Sequence, residues 1–256
     1  MDLAIENGSL KAVSQQRLLI ESDTREQIAF SADCVNGYAG PVLAMSERRL
    51  RDNAQKFKSA MPRVRPHFAV KANPDADILR IFNEEGCCFE IASSAELQAM
   101  IDLGVDLETV FYSNPIKSPA SIRDAAKAGI QWYVVDTPEE VIKIAAIKPD
   151  AKLYVRTEVS NEGSLWPLAG KFGASASGIQ SVIEKAKEHN MKITGVTFHV
   201  GSQCTNINNW IDGIRNAKNI FALLEASGWT PELLNLGEAI QCSSRARNLQ
   251  SQRLER

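Results

Sequence analysis

HFAVKANPDADILRIFNEEGCCFEIA (67–92) decides the fold. A short apolar run, HFAVK, is followed by residues with helical periodicity and then by a second short run, CFEIA. Two more runs follow, VFYSN (110–114) and WYVVD (132–136), and the four begin 21 or 22 residues apart. KLYVRTEV (152–159), ITGVTFHV (193–200) and LLNLG (233–237) extend the series. Runs of about five residues, rich in β-branched and aromatic side chains and separated by about 10–12 helical ones, predict βα units and a parallel sheet.

The helix starts agree with this reading. Asn73-Pro74, Ser118-Pro119 and Thr137-Pro138 each set a capping side chain before a proline, which suits the first helical position. Ser93 with Glu96, and Thr137 with Glu140, fit the capping box. Helical spacing puts Ile179, Val182, Ile183 and Ala186 on one face, and Trp210, Ile214, Ala217, Phe221 and Leu224 on another. Both stripes read as core packing. Seven strand–helix units admit an open doubly wound sheet or a barrel. No GxGxxG follows the first strand, which weakens the dinucleotide-binding version, and the even repeat favours the barrel.

Composition bounds the rest. The chain has 256 residues, near the length of one (β/α)₈ barrel. Its 29 Lys and Arg against 31 Asp and Glu give a net charge of −2, so bulk charge implies no nucleic-acid partner. No run of 18 apolar residues predicts a membrane span, and MDLAIENGSLKAVSQQ (1–16) lacks the apolar stretch of a secretory signal. Five cysteines at irregular spacing make no disulfide framework. A reduced, cytoplasmic protein is the expectation.

Both architectures put chemistry at the C-terminal ends of the strands. Those ends carry Lys71, Glu90, Asn114, Asp136, Arg156, His199 and Gly237. Asn114 and Asp136 read as loop or cap residues. Lys71 follows four residues of buried-looking strand. A lysine at an apolar mouth is partly desolvated, which lowers its pKa and frees the neutral amine that a Schiff-base nucleophile needs; the alternative is a lysine snorkelling to water. The flat ring of His199 could stack on an aromatic cofactor, serve as a base, or be a satisfied core histidine. Gly201-Ser202 offers backbone N–H groups and a hydroxyl, which suit a phosphate, and Gly237 ends a late strand, where barrels often bind phosphate. Amine, ring partner and phosphate donors together match pyridoxal 5'-phosphate.

PHFAVKANPDADILRIFNEEGCCFEIASSAELQAM (66–100), FYSNPIK (111–117), LYVRTEVSNEGSLWPLAGKFGA (153–174) and GVTFHVGSQCT (195–205) resemble the fold-type III, pyridoxal-phosphate-dependent basic amino-acid decarboxylases, nearest the ornithine and bacterial lysine/ornithine branch. The resemblance covers about residues 36–237. It implies that Lys71 carries the cofactor covalently and that His199 stacks on its ring. Ser202 and Gly237 match phosphate-binding positions. Arg156 matches an arginine near the cofactor, and Glu90 an acidic position in its site. Lys171 lies in the KFGA element, close to the dimer interface in the family. Lys71 and His199 are thus the catalytic candidates, and no metal is expected.

The pattern breaks at residue 238. The family continues with glycines that wrap the phosphate, whereas this chain reads Gly237-Glu238-Ala239, followed by a tail with four arginines. The family's eighth strand and C-terminal β-domain have no counterpart. The expected fold is therefore α/β, a (β/α)₈-type (TIM-like) barrel over 36–237 that lacks its last strand and the β-domain. Segment 1–35 joins the β-domain in relatives, and 238–256 is a non-family tail. Without a partner domain, Leu18, Leu19, Ile20, Ile28 and Phe30 would be exposed and prone to aggregate. The expected function is decarboxylation of ornithine or lysine for polyamine synthesis, impaired or lost by truncation, in a family of homodimers acting on small amino acids. A non-catalytic cofactor-binding or regulatory barrel and a racemase of the same fold are the alternatives.

Overall fold

The computed structural model describes residues 11–14, 17–20, 43–167 and 170–238. Ile28, Phe30 and the tail from Ala239 onward lie outside the described residues. Two compact units divide the chain, Met1–Phe111 and Tyr112–Arg256. Each of the seven predicted runs forms a strand, and all alternate with helices.

In the first unit, β1 (Lys11–Ser14), β2 (Arg17–Ile20) and β3 (Leu43–Ser46) make a three-stranded sheet, antiparallel between β1 and β2 and parallel between β2 and β3. The sequence reading had not foreseen these strands; each is only four residues long. Helix α1 (Glu47–Ala60) follows, capped by Ser46, whose hydroxyl accepts from the Arg49 N–H. Then come β4 (His67–Ala69), a 3-10 turn (Val70–Ala72), α2 (Ala76–Glu84), β5 (Cys88–Ile91), α3 (Ser94–Leu103) and β6 (Phe111–Tyr112), which straddles the division. Strands β4 and β5 are parallel, with Ala69 opposite Glu90. Helix α2 begins two residues later than the sequence suggests. Asp75, not Asn73, is its cap, and Asn73 instead accepts the Asp75 N–H through Oδ1. The residue before a proline is pushed to extended backbone, which keeps Asn73 in the turn. Half of the Ser93–Glu96 capping box forms: Ser93 Oγ accepts the Glu96 N–H, while Glu96 Oε2 reaches past the cap and accepts the Ala92 N–H.

In the second unit, α4 (Pro119–Ala128), β7 (Trp132–Val135), α5 (Pro138–Ala145), β8 (Lys152–Thr157), α6 (Ala176–Glu188), β9 (Lys192–Phe198), α7 (Ile207–Ala226) and β10 (Leu233–Asn235) alternate. Strands β7 to β10 pair in chain order, all parallel. Leu153, Tyr154 and Val155 of β8, and every residue of β9 after Lys192, are buried. Neighbouring residues on a strand face opposite sides, so both faces are covered, as parallel strands require. Tyr154, Gly195 and Leu233 share a row across three strands. A Cβ on Gly195 would sit 2.7 Å from Tyr154 Cβ and 3.0 Å from Leu233 Cβ, so only glycine fits between them.

The stripe on α6 packs as predicted: Ile179, Val182, Ile183 and Ala186 are all buried. The stripe on α7 is shifted. Its buried residues are Asn209, Gly213, Ala217, Ile220 and Leu224, while Ile214 stays 45% exposed. Gly213 explains the rotation. A Cβ there would meet the Phe198 ring at 2.5 Å, so the helix brings its bare backbone, not a side chain, against β9.

Candidate functional site

Strand ends set the candidate residues. In the first unit, Lys71 sits in the 3-10 turn just beyond β4, and Glu90 lies on β5 opposite Ala69. Paired residues of neighbouring strands share a face, so Glu90 faces the same side as Ala69, and Lys71 lies two residues further on, in the turn beyond the strand. Glu90 is only 8% exposed. Lys71 is exposed, so the apolar mouth expected around it is not built by its own turn, where the chain has already left the strand.

In the second unit, Arg156, Thr197 and Asn235 form one row across β8, β9 and β10. Two residues further along the chain, beyond the ends of β9 and β10, come His199 and Gly237. Gly237 has φ +73°, and a Cβ on it would lie 2.3 Å from the Phe198 carbonyl oxygen. The strand end thus closes directly against the segment that carries His199.

The segment after β8 locks onto these ends. Ala174 donates its N–H to Arg156 O at 2.8 Å, and Glu158 donates to Ala174 O at 3.1 Å. Gly173 lies flat on the Thr157–Glu158 backbone, where a Cβ would stand 2.8 Å from Glu158 N, and its N–H donates to Asp136 Oδ2 at 3.0 Å. The Arg156 guanidinium and the Lys171 ammonium both lie 5.3 Å from the Phe172 ring centre, in cation–π range. Asp136 and Asn114, whose Oδ1 accepts the Ile116 N–H, do structural work at their strand ends.

The phosphate donors read from the sequence are already engaged. Gly201 donates its N–H to His199 Nδ1 at 3.0 Å, Ser202 donates to Trp166 O at 3.1 Å, and Gly237 donates to Asn235 Oδ1 at 2.8 Å. The exposed Ser202 side chain carries the hydroxyl of that set. The exposed amine of the first unit and, in the second, a half-buried imidazole, a guanidinium and a hydroxyl are each of a kind that suits pyridoxal phosphate, and a ready-made cup of free backbone N–H groups is not among them.

Three residues of this region escaped the sequence reading. Asn161 is 7% exposed and donates Nδ2 to His199 O and to Val159 O, both at 3.1 Å. Asn235 accepts from Gly237. Lys117, 2% exposed, donates Nζ to Val134 O at 2.7 Å and to Asn114 O at 2.9 Å, with Glu140 Oε2 3.2 Å away. Burial pushes the Lys117 amine down to about 8, against the pull of Glu140. A lysine at the end of NPIK carries no pattern that distinguishes it from a surface lysine. Among the described residues no cluster of three or more His, Cys, Asp or Glu is placed to hold a metal, and no helix is long and apolar enough to cross a membrane.

A family model described as the pyridoxal-dependent decarboxylase, pyridoxal binding domain, matches residues 47–252, past the break at Gly237. Ornithine decarboxylase from Mus musculus is 35% identical over 182 residues, 71% of this chain and 40% of that protein. Antizyme inhibitor 2 from Xenopus laevis is 34% identical over the same length and the same shares. The crystal structure of lysine/ornithine decarboxylase from Vibrio vulnificus complexed with putrescine superposes with a TM-score of 0.78 at 29% identity, over 88% of this chain and 60% of that one. The chain spans about two fifths of the length of the curated relatives it matches. The likeness gives the fold class: α/β, parallel strands alternating with helices, as in the TIM-like domain of these proteins.

Proposed function

This chain belongs to the pyridoxal-dependent decarboxylases, through their pyridoxal-binding domain, and on that premise we propose that it binds pyridoxal phosphate through Lys71 and serves the decarboxylation of ornithine or lysine. The observation that carries the reading is that Lys71 and Glu90 stand at neighbouring ends of β4 and β5, and that Arg156, His199 and Gly237 stand at or just beyond the ends of β8, β9 and β10. These are the positions at which the decarboxylase motifs put their cofactor residues.

When bound, the cofactor supplies an electron sink for the pair left behind as the carboxylate departs as carbon dioxide. The chain's own residues bind and orient. Lys71 Nζ, exposed on its turn, is the amine that would hold the cofactor. The His199 ring would stack on the cofactor's aromatic ring and exclude water there. The buried Glu90 carboxylate presents negative charge to the cofactor ring, and Arg156 presents positive charge. The Ser202 hydroxyl donates to the phosphate. At Gly237 the absence of a side chain lets the strand end lie directly against the Phe198 carbonyl oxygen, beside the segment that carries His199. The same reading has the protein working in the cytoplasm, in polyamine synthesis, as a pair of identical chains.

Titration of the purified chain with pyridoxal phosphate tests this. The visible absorption of covalently held cofactor should develop in the wild type and be absent from Lys71→Ala. A band that persists in Lys71→Ala overturns the role of Lys71. Carbon dioxide released from ornithine or lysine separates decarboxylation from binding, and interconversion of enantiomers without release marks a racemase.

A second reading, a binding protein that does not turn over substrate, is favoured by one observation. The N–H groups of Gly201, Ser202 and Gly237 already have acceptors inside the protein. A relative at 34% identity also carries the name of an inhibitor, not of an enzyme. Cofactor binding with no carbon dioxide release would select it.

A further inference from the structure

We infer that Asn161 is a positioning residue that fixes His199 as a neutral imidazole with its proton on Nε2, an inference that rests on the cofactor-binding reading for its use but not for its geometry. The tautomer follows from one contact. The Gly201 backbone N–H donates to His199 Nδ1 at 3.0 Å. A backbone amide is always a donor, so Nδ1 must be the acceptor and carry no proton. In a neutral ring the proton is then on Nε2. A ring protonated on both nitrogens would set two N–H groups against each other.

The hook holds because Gly201 takes φ +87°, which turns its N–H back toward the ring two residues earlier. A second segment holds Gly201 there. A Cβ on Gly201 would stand 2.5 Å from Ser164 Oγ and 3.2 Å from Asn161 Oδ1, so the loop 158–166 is pressed against its bare Cα. Asn161 is the joint of that loop. Its buried amide donates once to Val159 O, within its own loop, and once to His199 O, across to the other. Ser164 Oγ donates to Asn161 O at 2.8 Å. Further bonds run in parallel: Trp166 and Ser202 exchange both backbone bonds, Thr205 donates N–H and Oγ1 to Gly163 O, and Asn209 Nδ2 donates to Glu162 O at 2.8 Å. Among these ties Asn161 is the one that grips the histidine's own carbonyl.

A neutral ring matters for the proposed use. An imidazolium stacked on a protonated pyridine would place like charges in contact, which weakens both. A neutral ring can stack without that repulsion.

The chain has three histidines, His67, His189 and His199, which makes the tautomer directly measurable. Long-range ¹H–¹⁵N correlation spectra of the labelled full chain, without cofactor and near neutral pH, read which ring nitrogen bears hydrogen; His67→Phe and His189→Gln assign the remaining signal. The expected pattern for His199 is a bare Nδ1 and a protonated Nε2. The reverse pattern, or a doubly protonated ring, overturns the inference whatever the variants do. In Asn161→Ala, and in the near-isosteric Asn161→Asp, which cannot donate to His199 O, the pattern should shift toward a mixture of tautomers. Affinity for pyridoxal phosphate should fall by about tenfold, the worth of one to two hydrogen bonds. A folded Asn161 variant that keeps the wild-type pattern ends the positioning role. If the wild type shows the expected tautomer but gains no visible band with pyridoxal phosphate, the cofactor reading fails and the tautomer stands.

Discussion

Replacing Lys117 by Met probes a charge that the fold has taken out of water. The Lys117 side chain is 0% exposed and Glu140 is 4% exposed, with Nζ 3.2 Å from Glu140 Oε2. That oxygen lies at ion-pair distance but at an angle unsuited to a hydrogen bond. The Lys117 backbone N–H reaches Glu140 Oε1 instead, and Lys143 closes on Oε1 from the next turn of α5. Burial lowers the Lys117 pKa from 10.5 to about 8, while Glu140 pulls the other way. For a base with a lowered folded pKa, the unfolded chain holds a proton between the two values that the folded chain has released. Stability from this group therefore rises with pH from about 8 to 10.5. At about 1.4 kcal/mol per unit, the rise is on the order of 3 kcal/mol. Met has similar bulk and no charge, and it leaves Glu140 paired with Lys143. Urea unfolding of both chains, followed by far-UV circular dichroism from about pH 7 to about pH 10, gives the difference directly, because all other titrating groups are shared. The wild type should gain on Lys117→Met as pH rises. A difference that stays flat or shrinks would show that the carbonyls of Asn114 and Val134 and the Glu140 carboxylate hold the ammonium charged against burial, and the desolvation argument would be wrong.

Other outcomes follow from the same structure. Gly195→Ala forces a methyl into 2.7 Å of Tyr154 Cβ and 3.0 Å of Leu233 Cβ, and should cost about 1–3 kcal/mol in urea unfolding; a neutral result would mean that the row has slack. His67, stacked on Phe111 at 4.3 Å, has its pKa pushed down from 6.5 to about 4 by burial. Its contribution to stability is therefore complete above about 6.5 and lost on acidification toward 4, and His67→Phe should flatten the unfolding profile over that window. Thr137 caps α5 through Oγ1 to the Glu140 N–H; Thr137→Ala should cost about 1 kcal/mol, read as a lowered melting temperature.

The strand series was legible because its signal is local. Short apolar runs at an even spacing specify strand and helix whatever the rest of the chain does. Proline after Ser118 and Thr137 fixed two helix starts, and both hydroxyls cap as read. Asn73 misled because Asp75, two residues on, is an equally good cap and is free of the constraint that proline places on Asn73. The buried face of α7 was misjudged by one step, because spacing counts large apolar side chains and cannot see that Gly213 is wanted for its emptiness against Phe198.

The site divides the same way. From the sequence come Lys71, Glu90, Arg156, His199 and Gly237, because each stands where an apolar run stops. Tertiary structure alone decides what each atom of those residues is free to do. The N–H of Gly201 looked like a phosphate donor until the fold turned it onto His199 Nδ1. Lys117 looked like a surface lysine until β7 and α5 closed over it. Asn161 has meaning only because its loop lies against the end of β9, 38 residues further along the chain. Periodicity is written residue by residue, but burial and hydrogen-bond partnership depend on which distant segments meet.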